Sequence, residues 1–169
     1  MWNLKNKTIV ISGATNGIGK AAAIELSKEN PQLLFTYRNQ DLANELLAEI
    51  KALSPDTQVH SVYCDFSKQD SIKKCADEIN DLCGEIDVLI NNAGVVNTSY
   101  HETSEGIENT FAINHLGYFL FTNLLLHKLK GENETRIVNV SSAAHSFVKK
   151  MQWEDINFKN NFGQGLRPY

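Results

Sequence analysis

Short runs of consecutive apolar residues alternate along this chain with longer stretches in which apolar positions recur every three or four residues. The runs fall at 8–12, 32–37, 58–64, 88–90 and 136–140, and their length predicts strands. Several are apolar on successive positions, as strands covered on both faces must be. Between the third and fourth runs, Ile72, Cys75, Ala76, Ile79, Leu82 and Cys83 mark one face of a helix, with Ser67 predicted as its N-cap and Asp70 in its first turn. Asp41 precedes a second helix whose stripe is Leu42, Leu46, Ile50 and Leu53. Strand and helix in that alternation predict an α/β fold: a doubly wound parallel sheet of about five strands joined by right-handed crossovers. There is no internal repeat, low-complexity segment or linker, so residues 1–169 read as one domain. From 149 to 168 the periodicity dissolves, which predicts a long loop.

The stretch 107–129 breaks the pattern in another way. It carries Phe111, Ile113, Leu116, Tyr118, Phe119, Leu120, Phe121 and Leu124 to Leu126, too many for a single stripe. A helix apolar nearly all round is buried on more than one side. Either another part of the chain covers it or a second copy does, which makes a homo-oligomer through 107–129 the expectation.

Composition narrows the function classes. With 42% hydrophobic and 21% charged residues the chain is of ordinary globular composition, and its formal net charge of −4 offers no basic field for nucleic acid. MWNLKNKTIVIS runs straight into the first strand and reads as carrying no secretory leader, and no apolar stretch is long enough to span a bilayer. Three cysteines make an odd number for a disulfide framework and lack metal-ligand spacing with histidine. They read as reduced structural thiols of a cytoplasmic protein.

The chemistry collects at the strand ends. Directly after the first strand comes SGATNGIG, in which Gly13, Gly17 and Gly19 form a variant dinucleotide fingerprint. Glycines there permit a tight turn and a close approach, and the following helix aims its free N–H groups at phosphate. Glycines also make plain turns, so the cluster alone leaves both readings open. A P-loop fails on two residues: Ala14 stands where the first glycine belongs, and Ala21 follows Lys20 in place of Ser or Thr. The second strand ends at Arg38, the third at Asp65, the fourth at NNAG (91–94) and the fifth at Ser141 and Ser142. In a doubly wound sheet all of these line one rim, where ligands bind. No carboxylate follows the second strand before Asp41, and Arg38 suits a 2′-phosphate. NADP(H) is therefore preferred, with NAD(H) possible; an arginine in a helix-capping loop is the plain alternative. His115 and His145 have no acid or nucleophile at a telling offset and read as packing or surface residues. Asn91 reads as a tie for the loop it begins, and Glu102, Glu105 and Glu108 as the acidic first turn of the long helix.

Taken in order, SGATNGIG, Asp65-Phe66, NNAG, INHLGYFLFT and RIVNVSS resemble the short-chain dehydrogenase/reductase family across essentially the whole chain, and its retinol-dehydrogenase-like branch in particular. The resemblance implies a Rossmann-type domain and hydride exchange between NADP(H) and a small apolar carbonyl or alcohol. It implies that Gly13, Thr15, Asn16, Gly17, Ile18 and Gly19 cradle the pyrophosphate. Arg38 and Asn39 would meet the adenosine ribose, and Asp65 and Phe66 would flank the adenine. Asn92, Ala93 and Gly94 would lie along the nicotinamide ribose. Asn114 would hold a helix kink and a relay water, Ser142 would hydrogen-bond the substrate carbonyl, and Tyr169 would be the acid or base beside both cofactor and substrate. In the family that tyrosine opens Tyr-x-x-x-Lys, and the lysine falls beyond residue 169. A free phenol titrates near about 10 and needs a nearby cation to act at neutral pH. The resemblance thus implies the N-terminal part of a longer enzyme, lacking its C-terminal strands. A truncated nucleotide-binding or interaction module without catalysis is the alternative.

Overall fold

A computed structural model of the chain describes residues 3–129, 134–147, 150–165 and 167–168. Its five strands are β1 (Thr8–Ile11), β2 (Gln32–Tyr37), β3 (Gln58–Tyr63), β4 (Val88–Asn91) and β5 (Arg136–Asn139), with helices α1 (Gly17–Ser27), α2 (Gln40–Leu53) and α3 (Gln69–Leu82) between the first four. All pairings are parallel and the order is β3-β2-β1-β4-β5. Successive crossovers carry the chain outward from β1 to β3, then back across to β4 on the other side of β1. The direction of winding therefore reverses between β1 and β4, and a crevice opens there at the strand ends.

Side-chain alternation sorts the strands' apolar residues into two cores. Val10, Leu34, Val62 and Leu89 face α3 and the later helix, packing with Ile72, Cys75, Ile79 and Phe121. Ile9, Ile11, Leu33 and Phe35 face the other way, against Ala23, Leu46 and Ile50 of α1 and α2. This is why the strands are apolar at consecutive positions. All three cysteines are free and buried. A hydrogen bond with Cys64, together with burial, pushes the Cys75 thiol well above its ordinary range, and burial likewise raises that of Cys83.

Several local expectations are corrected. The N-cap of α3 is Lys68, not Ser67. Ser67 instead turns its hydroxyl and its N–H onto Asp65 Oδ1, at 2.7 and 3.0 Å. Asn39 caps α2, its Oδ1 accepting from the N–H groups of Asp41 and Leu42 at 2.9 and 3.1 Å. Leu53 stays 56% exposed. The chain turns in at Ser54, whose buried hydroxyl meets that of Ser27, so polar groups close that end of the layer.

The stretch 107–129 is interrupted rather than continuous: α4 (Asn109–Phe111), a π-helical turn (Ala112–Leu116) and α5 (Gly117–Leu125). It begins two residues later than expected because Gly106, at φ 74°, turns the chain, and a short bridge pairs Glu102 with Glu108. Of the three glutamates only Glu108 belongs to the helix start, and it is a cap. Fully buried, its carboxylate accepts from the N–H groups of Thr110 and Phe111 at 2.9 and 2.7 Å. Glu102 pairs with Lys159 at 2.8 Å, and Glu105 accepts from Ser104 at 3.0 Å. The long loop is present, but it holds 3₁₀ turns at Trp153–Asp155 and Gly163–Gly165. Among the described residues no helix is long and apolar enough to cross a membrane.

The two phenylalanines of α5 diverge. Phe121 is fully buried and meets Phe66 edge to face at 5.4 Å, whereas Phe119 is 66% exposed. Phe121→Ala should destabilise the fold by about 3–5 kcal/mol. Phe119→Ala should cost no more than about 0.5 kcal/mol. Urea denaturation of the two variants checks both; equal losses would contradict this packing.

Candidate active site

At the reversal point the loop after β1 runs against the loop after β4, and the contact is built from hydrogen bonds. Ser12 is fully buried, and its Oγ accepts from the N–H groups of Asn92 and Ala93 at 2.9 and 3.1 Å. Asn92 returns its side-chain Nδ2 to the carbonyls of Ser12 and Gly13, both at 2.9 Å. The Gly13 N–H donates to Thr36 Oγ1 of β2 at 3.1 Å. Three strand ends are thereby locked together. A Cβ on Gly13 would stand 2.6 Å from the Ala93 Cα, and one on Gly19 would strike the Asn92 amide and the Gly13 carbonyl. These two glycines serve loop-on-loop packing.

Gly17 differs. Its φ is 54°, in the region that favours glycine, and a Cβ there would meet nothing within 4 Å. Asn16, at the N-cap of α1, makes no side-chain capping bond. The first bond of this turn runs from the Lys20 N–H to the Asn16 carbonyl, and the N–H groups of Gly17, Ile18 and Gly19 have no partner among the described residues. Unsatisfied donors at the positive end of an eleven-residue helix, facing open space, suit an anion. The ammonium of Lys20 is held by Glu49 of α2 at 2.8 Å.

The cleft, about 360 Å³, is lined by Gly13, Thr15, Asn16, Gly17, Ile18, Gly19, Arg38, Asp65, Phe66, Asn92, Ala93 and Gly94. The structure thus brings together twelve of the residues expected from sequence. It adds Thr36, Tyr37, Cys64, Val95, Val96, Ile113 and Val140. Arg38 is exposed, with no hydrogen-bond or ion-pair partner among the described residues. Tyr37 beside it is braced by Gln40 at 2.5 Å and by the Tyr63 ring at 5.8 Å. Asp65 is nearly buried, which disfavours its charge. The hydrogen bonds from Ser67 and the Lys68 ammonium at 3.4 Å outweigh that and hold its carboxyl below the ordinary value. Phe66, at 6% exposure, is as much core as cleft wall.

The remaining expected residues stand apart. Asn39 is the α2 cap and does not line the cleft. Asn114 sits in the π-turn, where its Oδ1 accepts from the Val95 N–H and its Nδ2 donates to the Val95 carbonyl, both at 2.9 Å. It braces the loop that carries Val95 and Val96 without lining the cleft itself. Ser142 lies two residues past the lining Val140, and its Oγ accepts from the Ala144 N–H at 3.1 Å. Tyr169 falls outside the described residues. His115 stacks on Phe111 at 5.3 Å, and exposed His145 bonds the Ser142 carbonyl at 2.8 Å. Asn91 ties β4 to α5 and β5, through Thr122 at 3.0 Å and Asn139 at 2.8 Å, rather than tying its own loop.

Ser12 and Thr36 were missed by sequence reasoning. The only signal for either is a hydroxyl residue ending an otherwise apolar strand, and that has meaning only once the neighbouring strand is known.

The model of the short chain dehydrogenase family matches residues 7–153. Human retinol dehydrogenase 13 is 35% identical over 156 residues, which cover 92% of this chain and 47% of that protein. Human retinol dehydrogenase 11 is 39% identical over 163 residues, 96% of this chain and 51% of that one. The chain spans about half the length of the curated relatives it matches. Among solved structures, an uncharacterised protein from Mycobacterium paratuberculosis superimposes with a TM-score of 0.83 at 30% identity, covering 99% of this chain and 57% of that one. A metagenomic short-chain oxidoreductase in complex with NADP gives 0.73 at 26% identity, over 83% and 64%. With the reversed sheet order, the glycine loop locked to NNAG and a family match across most of its length, the chain belongs to the short-chain dehydrogenase family and is retinol-dehydrogenase-like within it.

Proposed function

We propose that this chain binds NADP(H) and that the protein is an oxidoreductase moving a hydride between the nicotinamide and a small apolar carbonyl or alcohol. The observation that carries the cofactor reading is Arg38: an exposed guanidinium without a partner among the described residues, on the cleft wall. The NADP complex of a similar short-chain oxidoreductase and the retinol dehydrogenase relatives support the same reading.

The residues present fit the dinucleotide. The open N–H groups at Gly17, Ile18 and Gly19 would hold the pyrophosphate, Arg38 the 2′-phosphate, and Asp65 with Phe66 the adenine. Asn92, Ala93 and Gly94 would border the second ribose, next to the apolar Val95, Val96, Ile113 and Val140. When bound, the dinucleotide supplies or accepts the hydride. In the reductive direction Tyr169 gives its phenolic proton to the carbonyl oxygen as the carbon is reduced, and in oxidation the phenolate takes the proton back. Ser142 donates a hydrogen bond to that oxygen, and the apolar wall suits a substrate of like character.

One observation favours a second reading, nucleotide binding without turnover: Ser142 does not line the cleft.

Arg38→Ala should weaken NADP(H) binding roughly ten- to hundredfold while leaving NAD(H) nearly unchanged, since a charge-assisted contact contributes about 1.5–3 kcal/mol. Titration of both cofactors against both proteins measures this, and equal affinities in the wild type would remove the preference. In the longer protein that carries the expected lysine, assayed with an apolar aldehyde and NADPH, Tyr169→Phe should lower turnover about 10²–10⁴-fold, whereas residues 1–169 alone should bind NADP(H) with little or no turnover. Cofactor binding with no turnover by that longer protein would favour the second reading.

A further inference from the structure

The tail after β5 does not hang free; Asn157, Lys159, Phe162 and Gly165 are caught by the segment that leads from the cleft to α4. Asn157 reaches back to that segment. Its Oδ1 accepts from the Glu108 N–H at 3.1 Å, and its Nδ2 donates to the Gly106 carbonyl at 3.4 Å. Glu108, held in this way, caps α4 through the Thr110 and Phe111 N–H groups. The Thr110 hydroxyl in turn accepts from Asn97 Nδ2 at 3.3 Å. The Asn97 carbonyl then packs against Gly165, where φ is 86° and a Cβ would collide with that oxygen. The path from Asn157 through Glu108, Thr110 and Asn97 to Gly165 closes into a ring. Outside the ring, Lys159 pairs with Glu102 at 2.8 Å and Phe162 meets Tyr100 edge to face at 5.7 Å.

Asn97 directly follows Val95 and Val96, which line the cleft at the end opposite Arg38's strand, and Val95 is itself clamped by Asn114. We infer that Asn157 is a positioning residue: through Glu108 and Thr110 it holds the tail and the Val95–Asn97 wall in one arrangement, and so shapes the substrate end of the cleft. The inference rests on the oxidoreductase reading for its kinetic consequence only. The ring of hydrogen bonds closed by the Asn97–Gly165 contact stands without it. The glycine loop, Arg38 and Asp65 lie on other strand ends, and Asn92 is locked to the β1 loop by its own hydrogen bonds, so cofactor affinity should change little when the ring is cut.

The test compares the wild type with Asn157→Ala and, acting from the other end of the ring, Gly165→Ala. In each variant the amides of residues 108–111 should exchange hydrogen about tenfold faster, with NADP(H) affinity unchanged within about twofold. The KM for an apolar aldehyde should rise about fivefold with kcat largely kept. A merely destabilised fold would lower apparent kcat and leave KM alone. Unchanged exchange in both variants overturns the ring, and faster exchange with an unaltered KM overturns its role in shaping the cleft. The kinetic comparison is made in the longer protein that carries the expected lysine; if that protein binds NADPH but reduces no aldehyde, the oxidoreductase reading falls, and the exchange comparison still decides the ring.

Discussion

The site depends on one junction, the buried Ser12 hydroxyl and the Asn92 amide that answers it. The two halves of a doubly wound sheet meet edge to edge along β1 and β4, and nothing in the ladder itself dictates how the loops beyond the strands are arranged. Ser12 accepts two backbone N–H groups from the β4 loop while Asn92 donates to two carbonyls of the β1 loop. Four part-buried backbone groups are satisfied at once, which matters because a buried group left unmet costs about 1–3 kcal/mol. Gly13 and Gly19 let the loops approach closely enough for these bonds to form.

With that junction in place the donors of α1 are left facing the cleft. The helix has no side-chain cap, and Gly17 presents no Cβ, so its positive end is exposed to whatever anion enters. Around it the charged groups divide into those already committed and those that are not. Lys20 is engaged by Glu49, and Asp65 by Ser67 and Lys68, whereas Arg38 is uncommitted among the described residues. A site that neutralises its own charges except one guanidinium and one helix end has polarity matched to a phosphorylated ligand.

The far end of the cleft is organised by a different device. The π-turn inserts an extra residue into the helix and carries Asn114, whose amide meets both backbone groups of Val95. An uninterrupted α-helix over 107–129 would have rotated Asn114 relative to that loop. The buried Glu108 carboxylate at the helix start and the Asn157 carboxamide extend the same bracing into the tail.

Much of this was legible in the chain itself. The five apolar runs, the consecutive burial they required and the glycine spacing after the first run determined an α/β sheet wrapped on both faces, with its chemistry at one rim. Twelve of the expected cofactor residues line one cleft because period and order along a parallel sheet bring every strand's C-terminal end to the same side. Local hydrogen bonding was not legible. Asn39, Ser142 and Glu108 are short-range acceptors whose partners depend on turns a few residues away, and Ser67 donates to Asp65 where an N-cap acceptor was expected. Long-range pairings such as Ser12 with Asn92, Thr36 with Gly13 and Asn157 with Glu108 join residues 80, 23 and 49 positions apart. Sequence determined which residue types stand at the strand ends. Only tertiary structure decided which hydroxyls and amides lock the loops and which charges stay uncommitted, because a polar side chain's role is set by the partner that burial leaves it.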